Sequence, residues 1–266
     1  MRALVTGASY GIGGATCLKL AKDALAKGEP AKIVASSTGL RPDLMELIAE
    51  LKALGAEAKA IPCDLSDPDA CARLVTDAVA FCGGLDALVS NAAARYQAPL
   101  LDMEVKDWNR VYAVNTSATW LLGKAAHPAL KASGGAIVAV TSIAGSNPHA
   151  NYGPYSVTKA ALIMLVAQMA AEWAKDGIRV NGVAPGATKT RFNSPIYADQ
   201  EMAKARASVI PMGRACDASE QASAIAFLLS KEASYITGQN LTVDGGYDQS
   251  VMAFIPGRHS KALTNK

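Results

Sequence analysis

Short apolar runs alternate along this chain with longer segments of helical periodicity, and that rhythm limits the fold more than any other feature. Arg2–Thr6, Lys32–Ser36, Ala58–Pro62, Ala87–Ser90, Ala136–Thr141, Arg179–Ala184 and Asn240–Val243 read as strands. Between them Ile12–Lys27, Pro42–Leu54, Pro68–Phe81, Val105–Lys131, Ser156–Lys175 and Ala218–Ser230 read as helices. Strands this apolar are buried on both faces, as in a parallel sheet whose crossovers are helices. Such crossovers are right-handed, so the pattern predicts an α/β fold, a doubly wound parallel sheet in one domain over residues 1–247. Residues 248–266 read as a tail. With 266 residues, half of them apolar, the chain has material for a sizeable core.

The stretch Gly186–Gly213 breaks the rhythm. It holds Pro195, Pro211 and a short helical pattern around Asp199–Ser208. A long connection after a strand's carboxyl end is where a lid or specificity loop sits.

Several function classes are disfavoured. A net charge of +3 without a basic run gives no footprint for nucleic acid. The longest apolar stretch, Ala160–Ala171, is interrupted by Gln168 and too short for a bilayer, so no membrane span is expected. The first strand begins at Arg2, which leaves no room for a signal peptide ahead of it. The five cysteines (17, 63, 71, 82 and 216) are scattered and show no CxxC or Cys/His spacing, so no metal is expected. Free thiols in a reducing cytoplasm are the simple expectation.

The turn Thr6-Gly7-Ala8-Ser9-Tyr10-Gly11-Ile12-Gly13 follows a predicted strand and opens a predicted helix. Glycines let the backbone approach a pyrophosphate, and a helix N-terminus offers N–H groups and partial positive charge to it. The second strand ends in Ser36-Ser37-Thr38-Gly39-Leu40-Arg41, with no acid before Asp43. A carboxylate there would take the ribose hydroxyls of NAD. Hydroxyls with Arg41 suit a 2′-phosphate, so NADP(H) is favoured over NAD(H). Asp64, followed by Leu65, ends the third strand and is positioned to meet an adenine amino group or to serve as a turn residue. Asn91, Ala92 and Ala93 end the fourth, where small residues let a nucleotide lie against the backbone.

Tyr155 and Lys159 stand one helical turn apart on one face. A phenol titrates near 10, and an adjacent cation lowers that value until it becomes a usable acid or base. Ser142 closes the fifth strand at the sheet edge where parallel sheets bind ligands, and its hydroxyl suits a developing oxyanion. Asn115 falls within the predicted helix Val105–Lys131, where a buried amide needs a task, such as holding a water beside Lys159. His127, His149 and His259 are the only histidines, and none sits with a G-x-S-x-G serine, which disfavours a serine hydrolase. Arg95, Asn147, His149, Tyr152 and Phe192 are candidate substrate contacts.

Together TGASYGIG (6–13), CDL (63–65), SNAA (90–93), Asn115, Ser142, YSVTK (155–159), VAPG (183–186) and ITGQNLTVDGG (236–246) resemble the short-chain dehydrogenase/reductase family. The resemblance lies with its compact single-domain branch and more generally with 3-oxoacyl-carrier-protein reductases. It implies a Rossmann sheet of seven strands and a Ser–Tyr–Lys–Asn catalytic set that interconverts a small-molecule carbonyl and a secondary alcohol with NADP(H). It also implies that Lys159 holds the nicotinamide ribose and that Asn115 supports a water-linked relay through Lys159. Pro185, Gly186 and Thr188 would lie near the nicotinamide, and Thr190 near its amide or the pyrophosphate. A homotetramer or homodimer is usual in such proteins, and Ala160–Ala171 suits packing across a two-fold axis. An NAD-dependent alcohol, sugar or polyol dehydrogenase stands as the alternative, with a non-catalytic dinucleotide-binding protein behind it. The chain departs from the pattern in a longer first helix and loop through Asp23–Pro30 and in its tail.

Overall fold

In the computed structural model the described residues are 1–190 and 197–250. Seven parallel strands form one sheet in the order β3-β2-β1-β4-β5-β6-β9. They are β1 (Arg2–Thr6), β2 (Lys32–Ser37), β3 (Glu57–Pro62), β4 (Ala87–Ser90), β5 (Ala136–Val140), β6 (Arg179–Pro185) and β9 (Asn240–Val243). Chain order reverses between β1 and β4, where Val5 pairs with Ala35 on one side and Val89 on the other. The crevice at the carboxyl end of such a reversal is the ligand site of doubly wound sheets.

Strand alternation builds two cores. Ala3 and Val5 point to one face, under α1 (Gly11–Ala26), α2 (Pro42–Ala53) and a late helix, Ala218–Leu229. Leu4 points to the other, under α3 (Pro68–Cys82), α5 (Ala118–Ser133) and α6 (Tyr155–Trp173). Helix limits follow local chemistry. Asp67 caps α3 by accepting from the Asp69 N–H at 2.9 Å, Pro68 opens it, and Gly83 ends it in a left-handed conformation at φ 71°. Cys17, Cys63, Cys71 and Cys82 are buried free thiols, in keeping with small core residues.

Three features depart from the expected pattern. The helix expected over Val105–Lys131 is divided into α4 (Val105–Tyr112), a π-helical turn Ala113–Ser117, and α5. Short strands Thr188–Lys189 and Cys216–Asp217 pair within the irregular stretch, below the length any periodicity reveals. Helix α6 falls within two residues of the expected Ser156–Lys175, but the expectation of no segment long enough for a bilayer is not met. Tyr155–Asp176 is long and apolar enough, by length and composition, to cross a membrane. Its Tyr155, Thr158, Lys159 and Leu162 are buried in the protein, however, which anchors it to the sheet. The loop Lys27–Pro30 is exposed, as a surface insertion should be. Phe192, Arg191 and the tail segment 251–256 lie outside the described residues.

Candidate active site

The glycine turn is built by exclusion. Gly7 and Gly11 both have φ of +62°, which favours glycine. A Cβ on Gly7 would stand 2.7 Å from Ala92 Cα, and one on Gly13 would stand 2.4 Å from the Gly7 carbonyl oxygen. Neither space admits a side chain. Helix α1 begins at Gly11 with no side-chain cap from Tyr10, so its first N–H groups serve the turn.

A staple from β4 holds this turn. The Asn91 amide donates to the carbonyls of Thr6 and Gly7 at 3.0 and 2.9 Å. The Thr6 hydroxyl oxygen accepts from the N–H groups of Asn91 and Ala92 at 3.1 and 3.2 Å. The Asn91 side chain therefore fixes the shape of the turn while Asn91 itself lines the cleft. Gly13 packs under the turn and does not line the cleft.

The cleft has a volume of about 410 Å³. Gly7, Ser9, Tyr10, Gly11 and Ile12 form one wall. Ser36, Ser37, Thr38 and Arg41 from the end of β2 form the next. Asp64, Leu65, Ala92 and Ala93 close the far side, and Thr190 lies over the turn, its methyl 3.2 Å from where a Cβ on Gly11 would stand. Sequence reading missed Cys63, Arg110 and Val114, which also line it. Cys63 stands in the CDL motif but was not marked as a lining residue, and Arg110 and Val114 belong to no motif.

Polar groups at the ribose and adenine end of the cleft have partners within the protein. The Ser37 hydroxyl donates to the Gly39 carbonyl at 2.7 Å, and Ser36 is buried. The exposed polar groups of this corner are Thr38 and Arg41. The Asp64 carboxylate accepts from the N–H and hydroxyl of Ser66 at 3.0 and 2.8 Å and pairs with Arg110 at 3.4 Å. Those bonds hold its pKa below the usual carboxylate value. Asp64 thus braces the turn through one oxygen, and the other pairs with Arg110 at the rim.

The reacting groups converge at the mouth of β5 and the start of α6. Ser142 is extended, at φ −174°, and its oxygen accepts from the Ala144 N–H at 3.1 Å, which fixes the hydroxyl. Lys159, 1% exposed, donates from Nζ to the Val140 carbonyl at 2.7 Å. Its Nζ lies 5.8 Å from the centre of the Tyr155 ring. Burial pushes the Tyr155 phenol up, but the Lys159 ammonium, the Arg95 guanidinium and the hydrogen bond with Ser142 outweigh it, and the pKa falls below its ordinary value. Burial also lowers the Lys159 pKa, with Tyr155 opposing and Arg95 assisting. Among the described residues this is the group in which a phenol, a buried ammonium and a hydroxyl meet beside the cleft.

Asn115 sits in the π-helical turn, a distortion that often marks functional sites. Its amide nitrogen donates to the Ala94 carbonyl and to the Thr158 hydroxyl, both at 3.0 Å, while its oxygen accepts from the Ala94 N–H at 2.7 Å. The side chain therefore clamps the loop after β4 to the residue preceding Lys159. Its hydrogen bonds go to Ala94 and Thr158, next to Lys159 in the chain.

At the carboxyl end of β6, Pro185 ends the strand and Gly186 passes against Asp244, whose Cβ would lie 2.5 Å from any Cβ added to the glycine. Thr188 is buried and its hydroxyl donates to the Gly186 carbonyl at 3.2 Å, so it braces the strand end. On the substrate side, Arg95 stands 5.1 Å from the Tyr155 ring centre. His149 and Tyr152 stack edge-on at 3.9 Å. Asn147 donates to the Asp248 carboxylate, which brings the start of the tail against this loop.

A family model described as enoyl-(acyl carrier protein) reductase matches residues 7–248. Dehydrogenase/reductase SDR family member 4 of Bos taurus is 38% identical over 249 residues, covering 92% of this chain and 86% of that protein. Acetoin dehydrogenase from Enterobacter cloacae has a similar structure, with a TM-score of 0.84 at 34% identity over 96% of this chain and 99% of that one. A short-chain dehydrogenase from Burkholderia cenocepacia in complex with NADP gives 0.84 at 35% identity, over 93% of this chain and 97% of that one.

Proposed function

The chain belongs to the short-chain dehydrogenase/reductase family and is an oxidoreductase of carbonyl and alcohol groups, and from that premise we propose that it is NADP(H)-dependent, with Tyr155 as its general acid and base. The observation that carries this reading is the meeting of Tyr155, Lys159 and Ser142 at the edge of the glycine-turn cleft. The residues present fit a dinucleotide. Gly7 and Gly13 leave spaces that a Cβ would fill, and α1 points an uncapped N-terminus at the turn. Thr38 and Arg41 offer a hydroxyl and a cation where a 2′-phosphate is read, and no carboxylate stands there to repel one. The NADP bound to the Burkholderia relative supports this choice over NAD(H).

When bound, the nicotinamide gives or takes the hydride. The chain's own residues manage the oxygen and the proton. Ser142 and Tyr155 donate hydrogen bonds to the carbonyl oxygen, and the phenol proton passes to it as charge develops. Lys159, fixed on the Val140 carbonyl, holds the resulting phenolate by its charge. In the reverse direction the phenolate accepts the alcohol proton. Asn115 is a positioning residue that locks the Ala94 loop to α6.

The exposed stripe Val157, Ala160, Met164, Gln168 and Ala171 on α6 suits a partner copy, which supports a homodimer or homotetramer. The buried free thiols favour a reducing cytoplasm. The experiment is a side-by-side fluorescence titration with NADPH and NADH, followed by turnover on a panel of ketones. Tighter NADPH binding and NADPH-dependent reduction are expected. Tighter NADH binding would overturn the cofactor assignment, and nucleotide binding without turnover on any carbonyl would overturn the enzymatic role.

A further inference from the structure

Arg95 is the residue that the reaction itself leaves unexplained. A proton donor beside a carbonyl needs one cation, and Lys159 supplies it. Yet Arg95 lies 5.1 Å from the Tyr155 ring and also lines the cleft. Its place is fixed by the backbone. Both hydrogen-bonding groups of Ala94, the preceding residue, are held by Asn115 at 2.7 and 3.0 Å. The same amide reaches Thr158 on α6, so the site that holds the tyrosine also holds the arginine's base.

The mouth around it is cationic. Burial, then Arg95, then Arg206 lower the His149 pKa, so both arginines lie within electrostatic reach of that imidazole. Asp248 accepts from Asn147 on this loop. A guanidinium beside the reacting phenol is the group that best matches a carboxylate, since its fork takes both oxygens.

We infer that Arg95 is a specificity residue of the substrate site and that the substrate is an oxo acid, or the matching hydroxy acid, with its carboxylate one or two carbons from the reacting carbon. This inference rests on the carbonyl-reductase reading above and narrows its substrate class. Reduction converts the C=O to CH–OH with one hydride and the Tyr155 proton, and the carboxylate is untouched.

The test compares 2-oxo and 3-oxo acids with their methyl esters, which keep the ketone and remove the charge. The wild-type protein is expected to prefer the acids in kcat/KM. Arg95→Met should lower the acid-to-ester ratio by about 10–100-fold, the size of a lost charge-assisted hydrogen bond, and Arg95→Lys should fall between. The ratio is the readout, because loss of Arg95 also alters the tuning of Tyr155 for both substrates. A wild-type preference for the esters, an unchanged ratio in Arg95→Met, or a defect confined to NADPH affinity would overturn the inference, the last by assigning Arg95 to the cofactor. Should neither acid nor ester turn over, the carbonyl-reductase reading fails instead. Thermal shift of the NADP⁺-loaded protein with 3-hydroxybutyrate then decides on Arg95: stabilisation of wild type but not of Arg95→Met supports it, and no stabilisation of either overturns it.

Discussion

The two halves of the active-site cleft are made in different ways. The nucleotide half is a backbone construction. Gly7 and Gly13 have no room for a Cβ, and the Thr6 and Asn91 side chains staple β1 to β4 by bonding main-chain groups across the strands. The substrate half is a side-chain construction on loops, with Arg95, Asn147, His149 and Tyr152 in largely exposed positions. Few residues satisfy the first kind of site, and many satisfy the second. Cofactor chemistry is thus written in residue types at fixed spacing, whereas substrate choice is written in which side chains the loops present.

Substitutions can break or sharpen that contrast. The largest effect belongs where the halves meet. Lys159→Met keeps the volume of a fully buried side chain and removes its charge, so kcat should fall by about 10²–10⁴-fold, the usual scale of acid–base catalysis. The sign of the pH effect is fixed. The ammonium lowers the Tyr155 pKa, so its loss raises that pKa. Alcohol oxidation needs the phenolate, so its acidic limb should move to higher pH in a pH–rate profile.

Gly13→Ala tests the backbone half. The new Cβ would meet the Gly7 carbonyl oxygen at 2.4 Å and Asn91 Nδ2 at 2.6 Å. A cost of about 1–3 kcal/mol in stability is expected from such overpacking, read as a lower Tm together with weaker NADPH binding. Arg41→Ala should weaken NADPH by about 10-fold, at the low end for charge-assisted hydrogen bonds, and leave NADH affinity unchanged in the same titration. His149→Ala should be the mildest, changing substrate KM by about 2–10-fold at constant NADPH affinity. A His149 effect larger than that of Gly13→Ala would dissolve the contrast.

Most of the sheet was legible because strand runs and glycine turns are local signals. β1, β4 and β9 fall on the residues their apolar runs mark. Asn115 was legible as a residue but not as a structure. Nothing in Ala113–Ser117 marks a π-helical turn, whose cause is tertiary: the amide must reach both Ala94 and Thr158. Asp64 and Asn91 were legible as residues of the cleft, but their partners within the protein were not. A side chain's partner depends on neighbours such as Ser66, Arg110 and Gly7, and spacing along the chain does not reveal which of them it meets. Arg110 was not legible at all, since it reaches the cleft across 46 residues of sequence to pair with Asp64.

Single-turnover kinetics of Tyr155→Phe, measured beside NADPH binding, test the central claim most directly. The phenylalanine keeps the ring against Lys159 and removes only the hydroxyl. The account predicts NADPH affinity close to wild type with hydride transfer slowed by at least about 10²-fold, the lower bound for a lost general acid. Unchanged transfer with intact binding would contradict it and move the proton donor to another group.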